Sequence, residues 1–324
     1  MSTYQTARTQ YLTSPNSPPT TYAYRIIGPL SPSAPTTTTT KTQTPLLFLP
    51  HFRGPMDLID PLLINSLART RPVLLTDYIG VGKSTGPIAS SAAAVAAQVH
   101  DFLTLLGEPR IDVLGFSVGG RIAQLVALNA KTHGNGDIHV QHLIIAGATA
   151  NPTPENGIVG PVSDRAELIP KLAAAPEIPF DSFHTLFFAP GEEGKRACRT
   201  WWDRLGERSR ESCGEVLSSW LDEGYVGWEE ARGIQAQAQV LAGFDSVEGS
   251  KGEEGSWERL GELDIPVLVA NGSDDFMVPT INSYTTAQRL KKGKLIVYPS
   301  SGHGFLYQYA EEFAADVERF LDAN

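Results

Sequence analysis

The stretch Ile111-Asp112-Val113-Leu114-Gly115-Phe116-Ser117-Val118-Gly119-Gly120-Arg121-Ile122-Ala123-Gln124 reads as a short apolar strand that turns tightly into a helix. Ile111, Val113 and Leu114 supply the strand, and Ile122, Leu125, Val126 and Leu128 recur at the spacing of one helical face. Ser117 falls at the turn between them. Glycines at 115 and 119 remove the side chains that would collide where strand and helix close up, and the serine between them can take a strained backbone that lifts its hydroxyl clear. G-x-S-x-G in a strand-turn-helix setting is a nucleophile elbow, whereas the bland alternative is a Gly-rich turn whose serine only caps the helix.

Composition bounds what can surround this elbow. A chain of 324 residues, 41% hydrophobic and 19% charged, can bury a sizeable core as one large α/β domain carrying an insertion or as two modest domains. A net charge of -10 with no run of Lys and Arg opposes nucleic acid and anionic membrane as partners. Cys198 and Cys213 are too few to staple such a chain and are expected as free thiols. Met1 to Gln10 contains no apolar leader, and nowhere does an apolar run reach the roughly 18 residues of a membrane span, so a cytoplasmic protein is expected. The oligomeric state is not specified by any of these features.

Working outward from the elbow, opening strands are expected over 4–12 and 22–27, followed by a Ser/Thr/Pro tract between Pro29 and Pro45, with threonine throughout Thr36 to Thr40, that reads as a surface loop. Leu46 to Leu49 is a buried strand running into Pro50-His51-Phe52-Arg53-Gly54, and Val73 to Thr76 is the next strand, leading to the loop Asp77 to Ser84. Ser91 to Leu106 reads as a helix closed by Gly107. Leu143 to Ala146, Ile265 to Ala270 and Lys294 to Tyr298 are further strands, and Tyr307 to Leu321 a last helix. Apolar strands alternating with helices predict an α/β, mostly parallel, doubly wound sheet covered on both faces. From about 151 to 260 the rhythm gives way to Pro-interrupted helical pieces that hold all five tryptophans, and the Gly-rich run Glu248 to Gly255 near its end reads as a solvated linker.

A serine hydroxyl becomes a useful nucleophile when a histidine takes its proton and a carboxylate orients that histidine. Asp275, in Asn271-Gly272-Ser273-Asp274-Asp275, and His303, in Gly302-His303-Gly304, both follow late strands and should emerge at the carboxyl edge of the sheet. Asp274 is an equally acidic neighbour, and Glu155, beyond the strand ending at Ala146, is a rival for the acid. His139-x-x-His142 lacks a Cys or carboxylate at matching spacing, so no metal site is expected. Gly80-Val81-Gly82-Lys83-Ser84 fails the phosphate-loop pattern because Asp77 stands where its first glycine is required; a tight loop held by the Asp77 and Ser84 side chains is the better reading.

With these residues in place the chain resembles the α/β-hydrolase superfamily, in the capped branch that includes esterases, C–C hydrolases and cofactor-free haloperoxidase-like proteins. The resemblance runs through Leu46 to Asp60, Asp77 to Ser84, Gly115 to Gly119, Gly272 to Pro279 and Gly302 to Gly304. It implies a core of 1–150 and 261–324 with a helical cap at 151–260, which the Pro-rich entry Asn151 to Pro154 and the Gly-rich exit Gly249 to Gly255 suggest is hinged at both ends. It also implies catalytic Ser117, Asp275 (in preference to Asp274) and His303, an oxyanion hole from the Phe52 and Val118 amides, and no metal or organic cofactor. Pro50-His51-Phe52 departs from the family's His-Gly-x. A serine at 117 points away from the relatives that use a carboxylate nucleophile. Cap aromatics, Trp201 and Trp202 with Phe183, Phe187 and Phe188, are candidates to line an apolar substrate pocket or to hold the cap's own helices together. The expected activity is cleavage of an ester, lactone or thioester of a small, largely apolar molecule. A lyase, cyclase or acyl transferase on the same fold is the alternative, and a ligand-binding module the non-enzymatic one.

Overall fold

The computed structural model describes residues 2–15, 18–29, 43–130, 138–153, 155–161, 164–175, 177–218, 232–246 and 251–323. Eight strands form one sheet in the order β1-β2-β4-β3-β5-β6-β7-β8. They are β1 Gln10–Ser14, β2 Thr20–Ile27, β3 Leu46–Leu49, β4 Val73–Thr76, β5 Arg110–Phe116, β6 His139–Ala146, β7 Val267–Gly272 and β8 Gly293–Tyr298. From β4 to β8 every pairing is parallel, and β2 is antiparallel to both its neighbours. The Leu- and Val-rich runs of β3, β4 and β7 are buried at every position, as helices on both faces of a parallel sheet require.

One face is covered by α1 (Pro61–Leu67) and α11 (Ala310–Asp322), the other by α2 (Ala92–Leu106) and α3 (Val118–Leu128). Helix α2 starts where Ser91 accepts from the Ala94 amide and stops where Gly107 turns left-handed (φ 74°), as its sequence predicted. The opening strand is shorter than expected. The Tyr4 hydroxyl donates to Met56 O and accepts from the Ile59 amide at 3.0 Å each, which holds residues 3–7 in a turn against the loop after β3. The last helix is also interrupted: α10 (Phe305–Gln308) and α11 meet at Tyr309, whose hydroxyl donates to Pro299 O.

Between β6 and β7 lie α4 (Asp164–Ala173), α5 (Phe180–Phe187), α6 (Glu192–Leu205), α7 (Arg210–Cys213) and α8 (Arg232–Phe244). The beginning and end of this segment are tied together, because Asn151 Oδ1 accepts from the Ser256 amide and hydroxyl and from the Trp257 amide. A buried ion cluster ties its middle to the first strands: Asp57 takes Arg25 Nη2 at 2.5 Å, Arg208 Nε at 3.1 Å and Lys83 Nζ at 3.2 Å. Burial alone would raise the Asp57 carboxyl, but Arg25 beside it and the Ser218 amide hold it below the usual carboxylate range. The Asp77 to Ser84 loop is held as expected, with Asp77 accepting from the Met56 and Lys83 amides and Ser84 from the Ala23 amide. The Ser/Thr/Pro tract at Thr36 to Thr40 and residues 248–250 of the Gly-rich linker, with Trp220 and Trp228, lie outside the described residues.

The elbow sits where β5 hands over to α3 beneath the carboxyl end of β3. A Cβ on Gly119 would fall 2.1 Å from Leu49 O, and one on Gly115 would fall 2.1 Å from Gly119 O. Both are backbone atoms in the centre of the sheet and have nowhere to go. Gly119→Ala should therefore destabilise the fold by about 2 kcal/mol or more, read as a lower urea midpoint, whereas alanine at Gly261, which meets nothing within 4 Å, should be nearly neutral.

Candidate active site

Ser117 occupies φ 58°, ψ -121°, a conformation that L side chains rarely adopt. Hydrogen bonds hold it there: its amide donates to Ala146 O at 2.9 Å, and its carbonyl accepts from Gly120 at 2.9 Å and Arg121 at 3.3 Å. Strain confined to one residue and over-determined by its neighbours is typical of a reactive side chain. The Val118 amide is the first of α3 and so has no partner within the helix.

Asp275 and His303 are brought together from loops after β7 and β8. Asp275 Oδ1 accepts from the Met277 and Val278 amides at 2.9 Å each, and Oδ2 lies 2.7 Å from His303 Nδ1. Both side chains are fully buried. A carboxylate at Nδ1 places the proton there and leaves Nε2 with its lone pair, and Nε2 is buried with no hydrogen-bond partner among the described residues. Asp274, by contrast, is exposed and takes the Ser273 hydroxyl, and Glu155 is exposed. The glycines flanking His303 let the end of α5 close on the ring, with Gly304 N–H donating to Phe187 O at 2.5 Å and Gly302 leaving no room for a Cβ beside that same oxygen.

Ser117 opens on a narrow cavity of about 30 Å³ whose wall includes Phe52, Ile178, Phe183, Leu186 and Phe187. Phe52, expected as an oxyanion donor, is thus at the cavity, followed by Arg53 at φ 63°, whose amide donates to Gln237 Oε1 and whose guanidinium donates to Ala173 O and Ala175 O. Trp201 and Trp202, expected as substrate contacts, do not reach the cavity wall. Trp201 lies on the buried face of α6 with Gly194, Cys198 and Leu205, an i, i+4, i+7, i+11 stripe. Its ring packs at 5.1 Å on Phe183 and 5.2 Å on Tyr307. Trp202 rests on Phe180 and Phe183. The tryptophans therefore back the pocket, and Phe183 and Phe187 form its surface.

Remaining candidates fall elsewhere. His142 Nδ1 lies 2.7 Å from Asp112 Oδ1 near the start of β5, and Arg71 meets the same carboxylate at 3.3 Å, so its role here is a structural hydrogen bond. Cys198 and Cys213 are free and buried. Among the described residues, no group of three or more His, Cys, Asp and Glu side chains could hold a metal ion, and no helix is long and apolar enough to cross a membrane.

His51 is the site residue that sequence reasoning passed over. It is buried, with Nδ1 2.8 Å from Phe52 O and its ring edge-on to Phe116 at 5.6 Å and Phe187 at 5.2 Å. Phe116 and Phe187 also pack on His303, at 5.0 and 5.4 Å. Burial pushes the His51 imidazole down from 6.5 to about 4, and the neighbouring His303 adds to the shift. A base whose folded pKa is depressed gives up stability as pH falls from the unfolded value toward the folded one. His51 should therefore lose roughly 3 kcal/mol of stability between pH 6.5 and about 4, while Asp77, whose carboxyl burial raises to about 6, gains stability over the same window. The difference in melting temperature between wild type and His51→Asn isolates the histidine: wild type should lose more than the variant as pH falls through this window, and parallel acid limbs would contradict the assignment.

Comparison with known proteins places this geometry in context. The family model described as alpha/beta hydrolase fold matches residues 44–309. A solved structure, an alpha/beta hydrolase fold protein from Chitinophaga pinensis, is 30% identical, covers 99% of this chain and 100% of its own, and superposes with a TM-score of 0.75. RutD of Caulobacter sp. (strain K31), to which carbamate hydrolysis is ascribed, is 25% identical over 251 residues, 77% of this chain and 80% of that protein. A bifunctional esterase/perhydrolase of Acinetobacter calcoaceticus is 30% identical over 107 residues, 33% of this chain and 34% of that protein. Sheet order, elbow and family match agree, and the chain belongs to the α/β-hydrolase-fold family.

Proposed function

We propose that this chain is a serine hydrolase acting on an ester, lactone or thioester of a small, largely apolar molecule. The observation that carries the reading is the buried Asp275–His303 pair, with Nε2 unpartnered, in a site where Ser117 stands on a strained elbow. Ser117 Oγ attacks the carbonyl carbon while His303 Nε2 takes its proton, and Asp275 keeps the imidazole in the required tautomer and stabilises the imidazolium. The Phe52 and Val118 amides hold the oxyanion of the tetrahedral intermediate. Collapse expels the leaving group with the proton returned by His303, and a water deprotonated by the same nitrogen then releases the acid and frees Ser117. No cofactor takes part in these steps.

Segment 151–260 serves as the cap in this reading. Phe183, Leu186 and Phe187 give the cavity an apolar wall, which selects an apolar acyl group and strengthens the oxyanion contacts by excluding water. Support also comes from relatives to which carbamate hydrolysis and esterase activity are ascribed. A lyase, cyclase or acyl transferase would share the same elbow, and the product distinguishes them: hydrolysis adds the mass of one water.

A fluorophosphonate probe should label Ser117, located by peptide mass spectrometry, and leave Ser117→Ala unlabelled. Asp275→Asn should lower kcat by up to about 10⁴-fold with a small change in KM, the cost of the wrong imidazole tautomer. A folded wild-type protein that takes no label at Ser117 would overturn the covalent mechanism. Full turnover in Asp275→Asn with loss in Glu155→Gln would move the acid to Glu155.

A further inference from the structure

A second and larger cavity, about 200 Å³, lies beside the first and shares Met277 as a common wall. Its character is different. Arg121, Asp245, Thr149 and Asn282 line it with prolines, where the Ser117 cavity is walled by cap phenylalanines. Resting on the serine-hydrolase reading, we infer that this cavity is the subsite for the leaving group, and that the leaving group it takes is polar and uncharged.

Position assigns the role. In acyl transfer the departing atom receives its proton from His303 Nε2, so the leaving group lies beside that ring. The second cavity adjoins the pair through the loops that hold it, and reaches the Ser117 cavity at Met277. Met277 and Val278, whose amides bind Asp275, form one side of it. Thr149 stands two residues beyond Gly147, where a Cβ would fall 3.2 Å from His303 Cε1. Arg121 is one helical turn past Ser117, its amide donating to Ser117 O at 3.3 Å.

Chemistry assigns the class. Asn282 is engaged at both ends by Val159, its Oδ1 accepting at 2.9 Å and its Nδ2 donating at 2.7 Å, so it holds the rim. Recognition falls to Arg121 and Asp245, which meet at 2.6 Å through Nη1. A guanidinium has five N–H donors in a fixed fork, and a carboxylate accepts at two oxygens, so the pair offers further donors and acceptors to a ligand. The two charges already neutralise each other. An anion or a cation would have to compete with one partner for the other, whereas an amide or hydroxyl can bond to both without separating them. Met277 is unbranched and half-buried, a side chain able to move aside where the two halves of a substrate join.

The test compares two esters with the same acyl group and leaving groups of similar basicity, phenyl butyrate and 4-acetamidophenyl butyrate, by kcat/KM on protein that takes the fluorophosphonate label at Ser117. Wild type should favour the acetamido ester at least about tenfold, the range of hydrogen bonding to charged groups. Arg121→Met should bring the ratio toward one, and Met277→Phe, which thickens the shared wall, should reduce it. A ratio does not depend on the fraction of protein folded, so a destabilised variant still reports. A wild-type ratio near one, or a high ratio that Arg121→Met leaves intact, would overturn the leaving-group subsite while the labelled Ser117 upheld the hydrolase. Absence of both label and ester turnover would overturn the hydrolase reading and the subsite with it.

Discussion

Close approach of backbone to backbone at the end of β5 is the constraint on which the rest of the molecule depends. Leu49 O, Gly115 and Gly119 crowd into a space that admits no Cβ, and the price is a serine held at φ 58°. That crossing places the Ser117 side chain and the first amides of α3 at the carboxyl edge of the sheet. Parallel order from β4 to β8 delivers the β7 and β8 loops, with Asp275 and His303, to the same edge. Sheet direction and one tight turn thus bring Ser117, Asp275 and His303 to one edge, where Asp275 and His303 meet directly.

A second layer of packing keeps this arrangement dry. Phe116, the residue before Ser117, contacts His51, His303, Phe187 and Tyr307, so one ring at the end of β5 meets α5, α10 and the loop after β3. Trp201 stacks on Tyr307 from α6. Burial on this scale explains why the His51 imidazole stays neutral well below its ordinary range and why the His303 Nε2 lone pair meets no competing donor. In a low-dielectric setting the Asp275–His303 interaction is stronger than the same pair would be in water. The ion cluster around Asp57 and the Asn151–Ser256 contacts, both remote from the chemistry, fix the segment that supplies these aromatics.

Local signals carried much of this into the sequence. The β5–α3 stretch, helix α2 with Ser91 and Gly107 at its ends, and the buried runs of β3, β4 and β7 are each specified by residues within a few positions of one another. Asp275 was separable from Asp274 only through the resemblance, because what distinguishes them is which carboxylate meets a histidine 28 residues away. Arg53 and His51 were not legible. Arg53 is defined by Ala173, Ala175 and Gln237, more than a hundred residues distant, and His51 by a ring cluster drawn from four separate segments. Trp201 shows the same limit from the other side: its stripe on α6 marks a buried face, but only the position of α5 decides that Phe183 and Phe187 stand between it and the cavity.

The central claim is that Ser117 becomes covalently acylated and that His303 releases it. Wild type mixed with an activated butyrate ester and quenched in acid within the first turnover should carry one butyryl group, mapped to the Ser117 peptide by mass spectrometry, whereas His303→Ala, which has no base for either step, should both acylate and turn over at least about 10³-fold more slowly. Acylation at any residue other than Ser117, or steady-state hydrolysis by His303→Ala at the wild-type rate, would contradict the account.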